Sequence, residues 1–486
     1  MVRWLALILL LLSTPAWAQE RKPDLVLTGQ IVGADNQTYK PVTFEVPPGV
    51  TRLTVAFDYA RDQKTVVDLG LMDPVRFRGW SGGNKKTFTV AAEDATPSYL
   101  PGPLPAGRWT LLLGVPNARP ASSASYEARI FFDRDDRAKG LPSAPLKAAP
   151  GWYRGDLHMH TAHSDGSCLT QAGGRAPCPV YRTVAAASAR GLDFIAITDH
   201  NTTSHYAAMA ELQPAFDKLL LIPGREVTTF QGHANVFGPT GFIDFRLGEP
   251  SVPNIKALQD AVAAAGGLFS INHPSSPSGE VCMGCGWTAP GTDYDEVQSI
   301  EVANGGSERA QHGAEGPLSG VAFWERQLNA GHRITAVGGS DNHDAGLAPD
   351  IASSIGRPTT VVHADALSTP AILAGLRAGR VFIDLDASGD RLLDLTARSA
   401  KDQAVMGGML RVKAGETVTF TAALVGGDLK GLQIVRDGAV VNAPIGPDGT
   451  FRLPAGKTAS WVRLNLRDDK GRLMLIGNPI YLRPAA

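Results

Sequence analysis

The sequence predicts an α/β protein in three parts, a central segment in which strands and helices alternate and an all-β segment on either side of it. Three observations carry this. Between residues 151 and 388, short apolar runs alternate with amphipathic stretches at 180–190, 204–218, 254–265, 318–330 and 370–378, and several of these end at a glycine, as Gly191, Gly266, Gly331 and Gly379 do. Before and after that window, apolar and polar residues alternate with period two, the pattern of half-buried strands. All eleven histidines lie between His158 and His363, and neither β-rich flank contains one.

A chain of 486 residues is too long for one ordinary domain. Its charge is balanced, with Lys+Arg 46 against Asp+Glu 47, which excludes a protein held to nucleic acid or to an anionic membrane by its net field. Residues 1–18 read as a secretory leader: Arg3 is the positive start, 5–12 the apolar core, and Ala16-Trp17-Ala18 the small-x-small cleavage signature. That apolar core is shorter than the roughly 20 residues a membrane span needs, and no later run is long enough. The expected destination is the periplasm or the extracellular space, with no membrane span left after cleavage.

The expected domains are an N-terminal β-sandwich at 19–148, a metallohydrolase domain at 149–388 and an Ig-like β domain at 389–486. In the first, 42–46, 51–57, 108–115 and 126–132 alternate without a convincing helix between them, and an antiparallel sandwich covers such half-apolar sheets. Lys147-Ala148-Ala149-Pro150 reads as the linker out of it. In the last, 416–422, 432–436 and 461–467 alternate again and lead into turns such as Asp437-Gly438. The four cysteines fall in Gly/Pro-rich loops, where an exported protein would form Cys168–Cys178 and Cys282–Cys285 bridges, although a zinc held by all four remains open at this point.

In the central segment the apolar runs stop on potential ligands. His158 and His160 share one face of an extended stretch, because side chains two apart in a strand point the same way, and Asp165 follows in the turn Ser164-Asp165-Gly166. The run 194–198 ends in Asp199-His200, 219–223 leads to Gly224-Arg225-Glu226, 267–271 delivers Asn272-His273-Pro274, and 334–340 delivers Asp341-Asn342-His343. Ser299-Ile300-Glu301-Val302 ends likewise at Asn304-Gly305. His233 is the irregular member, since it stands at the start of its strand. Parallel strands gather their carboxyl ends at one face of a sheet or barrel, and imidazoles mixed with carboxylates suit zinc, manganese or iron. Two or three divalent ions are therefore the expected cofactors.

This ordered set resembles the PHP (polymerase and histidinol phosphatase) domain, and the secreted form with Gly232-His233 and β flanks is similar to the carbaryl hydrolase-type branch of PHP metallohydrolases. The resemblance covers residues 151–388. It implies a distorted (β/α)7 barrel with a two- or three-metal centre at the carboxyl ends of its strands. It places His158, His160, Glu226 and Asp341 around the first two ions, with Glu226 bridging and Asp341 a second candidate bridge. His233 and His273 would complete the second site, and Asp165, His200 and His343 the third.

Such ions acidify a shared water and neutralise charge developing on the attacked centre, so His158, His160, Glu226 and Asp341 would act in hydrolysis through a metal-bound hydroxide. Asp199 reads as a supporting partner, His163 as a rim residue or an acid, Arg225 and Arg357 as candidates to bind an anionic substrate, and His205, His312, His332 and His363 as surface residues. The leading expectation is an exported phosphoesterase acting on a small ester. Carbamate or carboxylic ester hydrolysis is the alternative that the branch resemblance suggests. A third class, a non-catalytic protein whose β flanks bind carbohydrate or a surface, predicts missing ligands. Oligomeric state is left open.

Overall fold

The computed structural model describes residues 21–134, 144–279, 282 and 284–485, and the leader expected at 1–18 lies outside the described residues. The chain divides into two compact units, one of residues up to Thr89 with Pro105–Asp133, the other of Val90–Leu104 with the residues from Arg134 onward.

The first unit contains β1 (Leu25–Val32), β2 (Thr38–Val46), β3 (Arg52–Tyr59), β4 (Val66–Met72), β5 (Phe77–Gly82), most of β6 (Thr87–Ala91), β7 (Gly107–Asn117) and β8 (Ser123–Asp133). They make two four-stranded sheets, ordered β1-β8-β3-β6 and β2-β7-β4-β5. Along β8, Ala124, Tyr126, Ala128 and Ile130 are buried while the residues between them face water, so the period-two alternation becomes one hidden and one wetted face.

The second unit is a mixed α/β structure, rich in sheet, with six α-helices among its described residues. It begins with β9 (Gly151–Asp156) and a short hairpin of β10 (Ser167–Leu169) and β11 (Arg175–Pro177). Then come α1 (Val180–Ala189), β12 (Phe194–Ile197), α2 (Tyr206–Leu212), β13 (Leu220–Thr229), β14 (Gly232–Phe237), α3 (Ile255–Ala264) and β15 (Leu268–Ile271). β16 (Ser299–Asn304), α4 (Gly305–Gln311), α5 (Val321–Asn329), β17 (Thr335–Gly339), β18 (Thr359–Ala364), α6 (Thr369–Ala378) and β19 (Val381–Asp384) complete the alternation.

Two helices differ from expectation. α2 stops at Leu212 rather than running to 218, because Pro214 has no amide hydrogen with which to continue the helical ladder. α4 was not expected behind Gly305-Gly306; it starts because the Asn304 side chain accepts from Ser307 N and caps the helix.

The ladders run β17-β16-β15-β14-β13-β12-β9-β18-β19. β9, β12 and β13 are parallel, as are β15, β16 and β17, but β14 runs antiparallel to both its neighbours. That reversal accounts for His233: the start of an antiparallel strand lies at the same edge as its neighbours' ends, and His233 sits opposite Thr228 near the end of β13. Among the described residues no ladder runs between β17 and β9. Beyond them, Asp341 N donates to His158 O and His160 N to Asn342 O, each at 2.8 Å, so the chain leaving β17 meets the chain leaving β9.

The segment after residue 388 continues this sheet. The strand Ser460–Arg467 pairs with the strand Leu473–Gly477, which pairs antiparallel with β19. Just past that second strand, buried Asn478 accepts from Ala336 N at 2.7 Å and donates to the carbonyls of Ala336 and Val381, satisfying backbone groups that no strand pairs. Leu393, Phe420, Ile434, Leu464 and Ile480 share one core with Val361 and Phe382. The C-terminal strands thereby brace the frame from which the histidine-bearing ends project.

Candidate metal centre

The nine expected ligands lie on or just after β9, β12, β13, β14, β15 and β17, and the structure brings all nine into one cluster. Glu226, on β13, stands at its middle. Its Oε2 lies 3.5 Å from His158 Nε2, 3.6 Å from His160 Nε2 and 2.9 Å from His200 Nδ1. Its Oε1 lies 3.2 Å from His233 Nδ1 and 3.3 Å from His273 Nε2, and it accepts from Asn272 Nδ2 at 2.9 Å. The two oxygens of one carboxylate thus face two different sets of nitrogens. Asp341 Oδ1 closes the first set, 3.4 Å from His158 Nε2 and 3.2 Å from His160 Nε2. A third set gathers around Asp165, whose oxygens lie 3.7 Å from His200 Nε2 and 3.3 Å from His343 Nε2.

Backbone geometry turns these side chains inward. His273 and Asp341 have positive φ, 26° and 51°, conformations that non-glycine residues adopt at a cost and that abruptly end a strand. Gly339 is required nearby, since a Cβ there would stand 2.5 Å from the His158 Cβ and closer still to Glu301 Oε1.

A second layer fixes each ring. His158 Nδ1 bonds Glu301 Oε1 at 3.0 Å, His200 Nδ1 bonds Thr228 Oγ1 at 2.6 Å, His273 Nδ1 donates to Cys285 O at 3.1 Å and His343 Nδ1 to Asp341 O at 3.0 Å. The same His200 nitrogen lies 2.9 Å from Glu226 Oε2, so it stands between Thr228 and the central carboxylate. The other Glu301 oxygen accepts from His273 N and Asn304 Nδ2. A ligating imidazole is normally held in this way through its other nitrogen.

These residues fit a metal. His158 Nε2, His160 Nε2 and Glu226 Oε2 are buried without a hydrogen-bond partner, and all three point at the same place. Three orphaned polar atoms converging in a protein interior are costly unless something binds them. Two imidazoles with carboxylate oxygens suit zinc, manganese or iron. One further grouping, His233 and His273 with Cys285, is not a ligand set as it stands, because Cys285 is bonded to Cys282. The second bridge joins Cys168 to Cys178, so the four cysteines pair as loop bridges rather than meeting around a zinc.

In the metal-free cluster the charges are strongly coupled. Burial would raise the Glu226 and Asp341 carboxyls, but His158 and the neighbouring imidazoles outweigh it and hold both well below the usual carboxylate range. Burial likewise opposes a charged His200 and His343, yet their bonds to Asp165, with Glu226 for the first and Asp341 for the second, carry them up to about 10 and about 9. Burial wins at His160, and with His343 and His200 beside it the ring is pushed down to about 4 despite Asp341.

Several readings of the sequence need correction. His205 is not on the surface: it is fully buried, its Nε2 bonds Gly224 O at 3.0 Å, and it lies 3.5 Å from Asp199. Its position at the start of a seven-residue helix gives no periodicity from which burial could be read. Asp199 supports a ligand ring indirectly: it accepts from Thr161 N, Thr161 Oγ1 and Ser164 Oγ, and that hydroxyl lies 3.4 Å from His160 Nδ1. Arg225 is buried, donates to Pro239 O and lies over Tyr206, which removes it from any substrate. Arg357 pairs with Asp386 and lines a different cavity from the cluster. His163 bonds Ser204 outside the cluster, His332 pairs with Asp295, and His363 packs edge-on against Trp152.

A cavity of about 540 Å³ opens over the cluster. Asp165, His200, Glu226, His233, His273, Asp341 and His343 form its floor, and Ser276, Pro277, Ser278, Asn304, Ser307, Ala310 and Leu318 are among its walls. No arginine or lysine is among its described lining residues.

No family model matches the chain, and no curated protein matches it. Among solved structures it is similar to a two-domain protein from Bacteroides vulgatus ATCC 8482 that contains a predicted PHP-like metal-dependent phosphoesterase, at 19% identity over 71% of this chain and 99% of that one, with a TM-score of 0.36. It is also similar to a candidate metal-dependent phosphoesterase from Bifidobacterium adolescentis ATCC 15703, at 16% identity over 41% of this chain and 91% of that one, with a TM-score of 0.27. Likenesses of that size carry no functional argument, which rests on the side chains above.

Proposed function

We propose that this chain is a metal-dependent hydrolase of the PHP type, acting on phosphoesters. The observation that carries the reading is the convergence of His158 Nε2, His160 Nε2 and Glu226 Oε2, buried and unpartnered, on one point at the cavity floor. Divalent ions bound there would supply an acidified water and neutralise charge developing on attacked and leaving oxygens. The protein's own part is to position. Glu226 presents one oxygen to each of two ligand sets, Asp341 closes one of them, and Glu301, Thr228 and the Cys285 carbonyl lock the rings of His158, His200 and His273. Asp165, His200 and His343 form the third set beside the solvent. The bonds between 341–342 and 158–160 support a distorted (β/α)7 barrel as the frame. Two disulfides support export to an oxidising compartment.

A second reading, cleavage of carbamate or carboxylic esters as in the carbaryl hydrolase-type branch, is favoured by the absence of arginine and lysine among the described lining residues, which suits an uncharged substrate better than a phosphomonoester dianion. A panel of phosphomonoesters, phosphodiesters, aryl carbamates and carboxylic esters, offered to protein reconstituted with zinc or manganese beside a His158→Ala control, tests both. Phosphoester turnover that vanishes in the control is the expected result. Turnover of carbamates alone would install the second reading, and turnover of nothing would remove both.

A further inference from the structure

The sulfur of Cys285 stands beside two of the ligands without serving as one. Cys285 is 5% exposed on the cavity wall. Its sulfur, one ring nitrogen of His233 and one of His273 all lie within 4.8 Å of one another. Two imidazoles and a sulfur at that spacing would form a set preferred by softer ions such as zinc and cobalt, but a disulfide sulfur has no thiolate charge to offer a dication.

Breaking the Cys282–Cys285 bridge would leave Cys285 where it is. Its carbonyl accepts from His273 Nδ1 at 3.1 Å, Gly286 N donates to Ser278 Oγ at 3.0 Å, and Trp287 N donates to Pro274 O at 3.1 Å. These bonds hold the chain from Cys285 through Trp287 independently of the bridge. A bridge across a sequence separation of 3 also closes a very small ring, which restricts little of the unfolded chain, so opening it has little effect on global stability. Cys282 lines the same cavity, where a small reductant can reach it. The other bridge offers a contrast within the molecule: Cys168 and Cys178 are both buried and belong to no grouping of metal-binding side chains among the described residues.

We propose that the Cys282–Cys285 disulfide is a redox cap on an additional metal ligand, and that its reduction frees Cys285 to join His233 and His273 around a soft divalent ion. The proposal rests on the metal-centre reading above. A dithiol reductant supplies the two electrons and two protons: the S–S bond of Cys282–Cys285 breaks, both sulfurs become thiols, and the dithiol closes to its own disulfide. When the ion binds, the Cys285 thiol loses its proton to solvent and the sulfur–metal bond forms. Reduction thereby changes the donor set from nitrogen and oxygen to one that includes sulfur, and shifts the centre's preference towards zinc and cobalt over manganese.

Titration of the full chain with cobalt(II), followed by absorption, separates the possibilities. Visible ligand-field bands report that cobalt is bound at all, and an intense near-ultraviolet sulfur-to-cobalt band reports thiolate ligation. The oxidised wild type is expected to give the visible bands alone. The dithiol-reduced wild type, and Cys282→Ser without any reductant, are expected to add the ultraviolet band at one thiolate per chain, and reduced Cys285→Ser to lose it while keeping the visible bands. Visible bands without the ultraviolet band in both reduced wild type and Cys282→Ser would overturn the proposal, as would an ultraviolet band that survives in Cys285→Ser. Absence of the visible bands in oxidised wild type as well would overturn the metal-centre reading itself. Far-ultraviolet circular dichroism of Cys282→Ser, matched to wild type, shows that the variant has folded.

Discussion

The inner ligands and the ligands at the cavity mouth sit in different surroundings. The side chains of His158 and His160 have no exposed surface and Glu226 has 1%, whereas Asp165 keeps 56% and His343 40%. Water can satisfy the outer group when no ion is present, but it cannot reach the inner nitrogens, which makes an ion there part of the folded structure and an ion at the mouth exchangeable. The inner set is backed by Glu301, Asn304 and Asn272, whereas the outer rings of His200 and His343 are held by the Thr228 hydroxyl and the Asp341 carbonyl.

The sharpest way to break this contrast is Glu226→Gln, which removes the charge shared by the two inner sets. Removing one partner of a buried charged group costs about 3–5 kcal/mol, and at about 1.4 kcal/mol per decade this is a loss of roughly 10²–10³-fold or more in metal affinity. Chelator competition reads it, and hydrolysis should fall with it. Glu301→Gln leaves every expected ligand in place and removes only the charge behind His158. It should lower inner-site affinity by about 10–100-fold while the outer ion binds as before. A loss as large as that of Glu226→Gln would make Glu301 a ligand rather than a support.

The outer set differs in its proton balance. In the metal-free protein His200 and His343 titrate near 10 and near 9, so at pH 7 both carry a proton that an incoming ion must displace. Metal uptake should therefore release protons, and affinity should rise with pH through the neutral range until those values are passed. A weakly buffered titration with a pH indicator checks the sign, and uptake without release contradicts it. Asp165→Ala should remove a single ion from the mouth and leave the inner ions bound, visible as one metal fewer per chain.

Glu308 offers a smaller test, because it is a buried carboxylate outside the cluster. Burial pushes its carboxyl up to about 8, with Arg357 only partly opposing. A folded-state value above the unfolded 4.5 means that the stability held below about pH 4.5 is lost as pH rises through 8. Glu308→Gln keeps the neutral shape, so its melting temperature should match wild type at pH 5 and exceed it by a few degrees at pH 9, at about 2–4 °C per kcal/mol. No gain at pH 9 would show that Glu308 is already relieved by a bound cation.

Ligands such as His200 and His273 were legible because they follow an apolar run, and an imidazole at a strand end is conspicuous against Phe194-Ile195-Ala196-Ile197 or Leu268-Phe269-Ser270-Ile271. Their supports were less legible. Thr228 and Asn272 look like ordinary polar residues next to a ligand, and Cys285 acts on His273 through its backbone, which no side chain can reveal. Glu301 left a signal, a single carboxylate in a strand whose six residues are all buried. His233 looked irregular because strand direction is invisible in apolar runs, although Thr229-Phe230-Gln231-Gly232 has the tight spacing of a hairpin turn. Arg225 illustrates the converse: a cation beside a ligand in sequence points the other way in a strand, where neighbours face opposite sides.

Elemental analysis of wild type and Glu226→Gln, each purified without chelator and reconstituted with zinc or manganese, tests the central claim most directly. The buried convergence predicts two or three ions per wild-type chain and a clear deficit in the variant. Fewer than one ion per wild-type chain would contradict it.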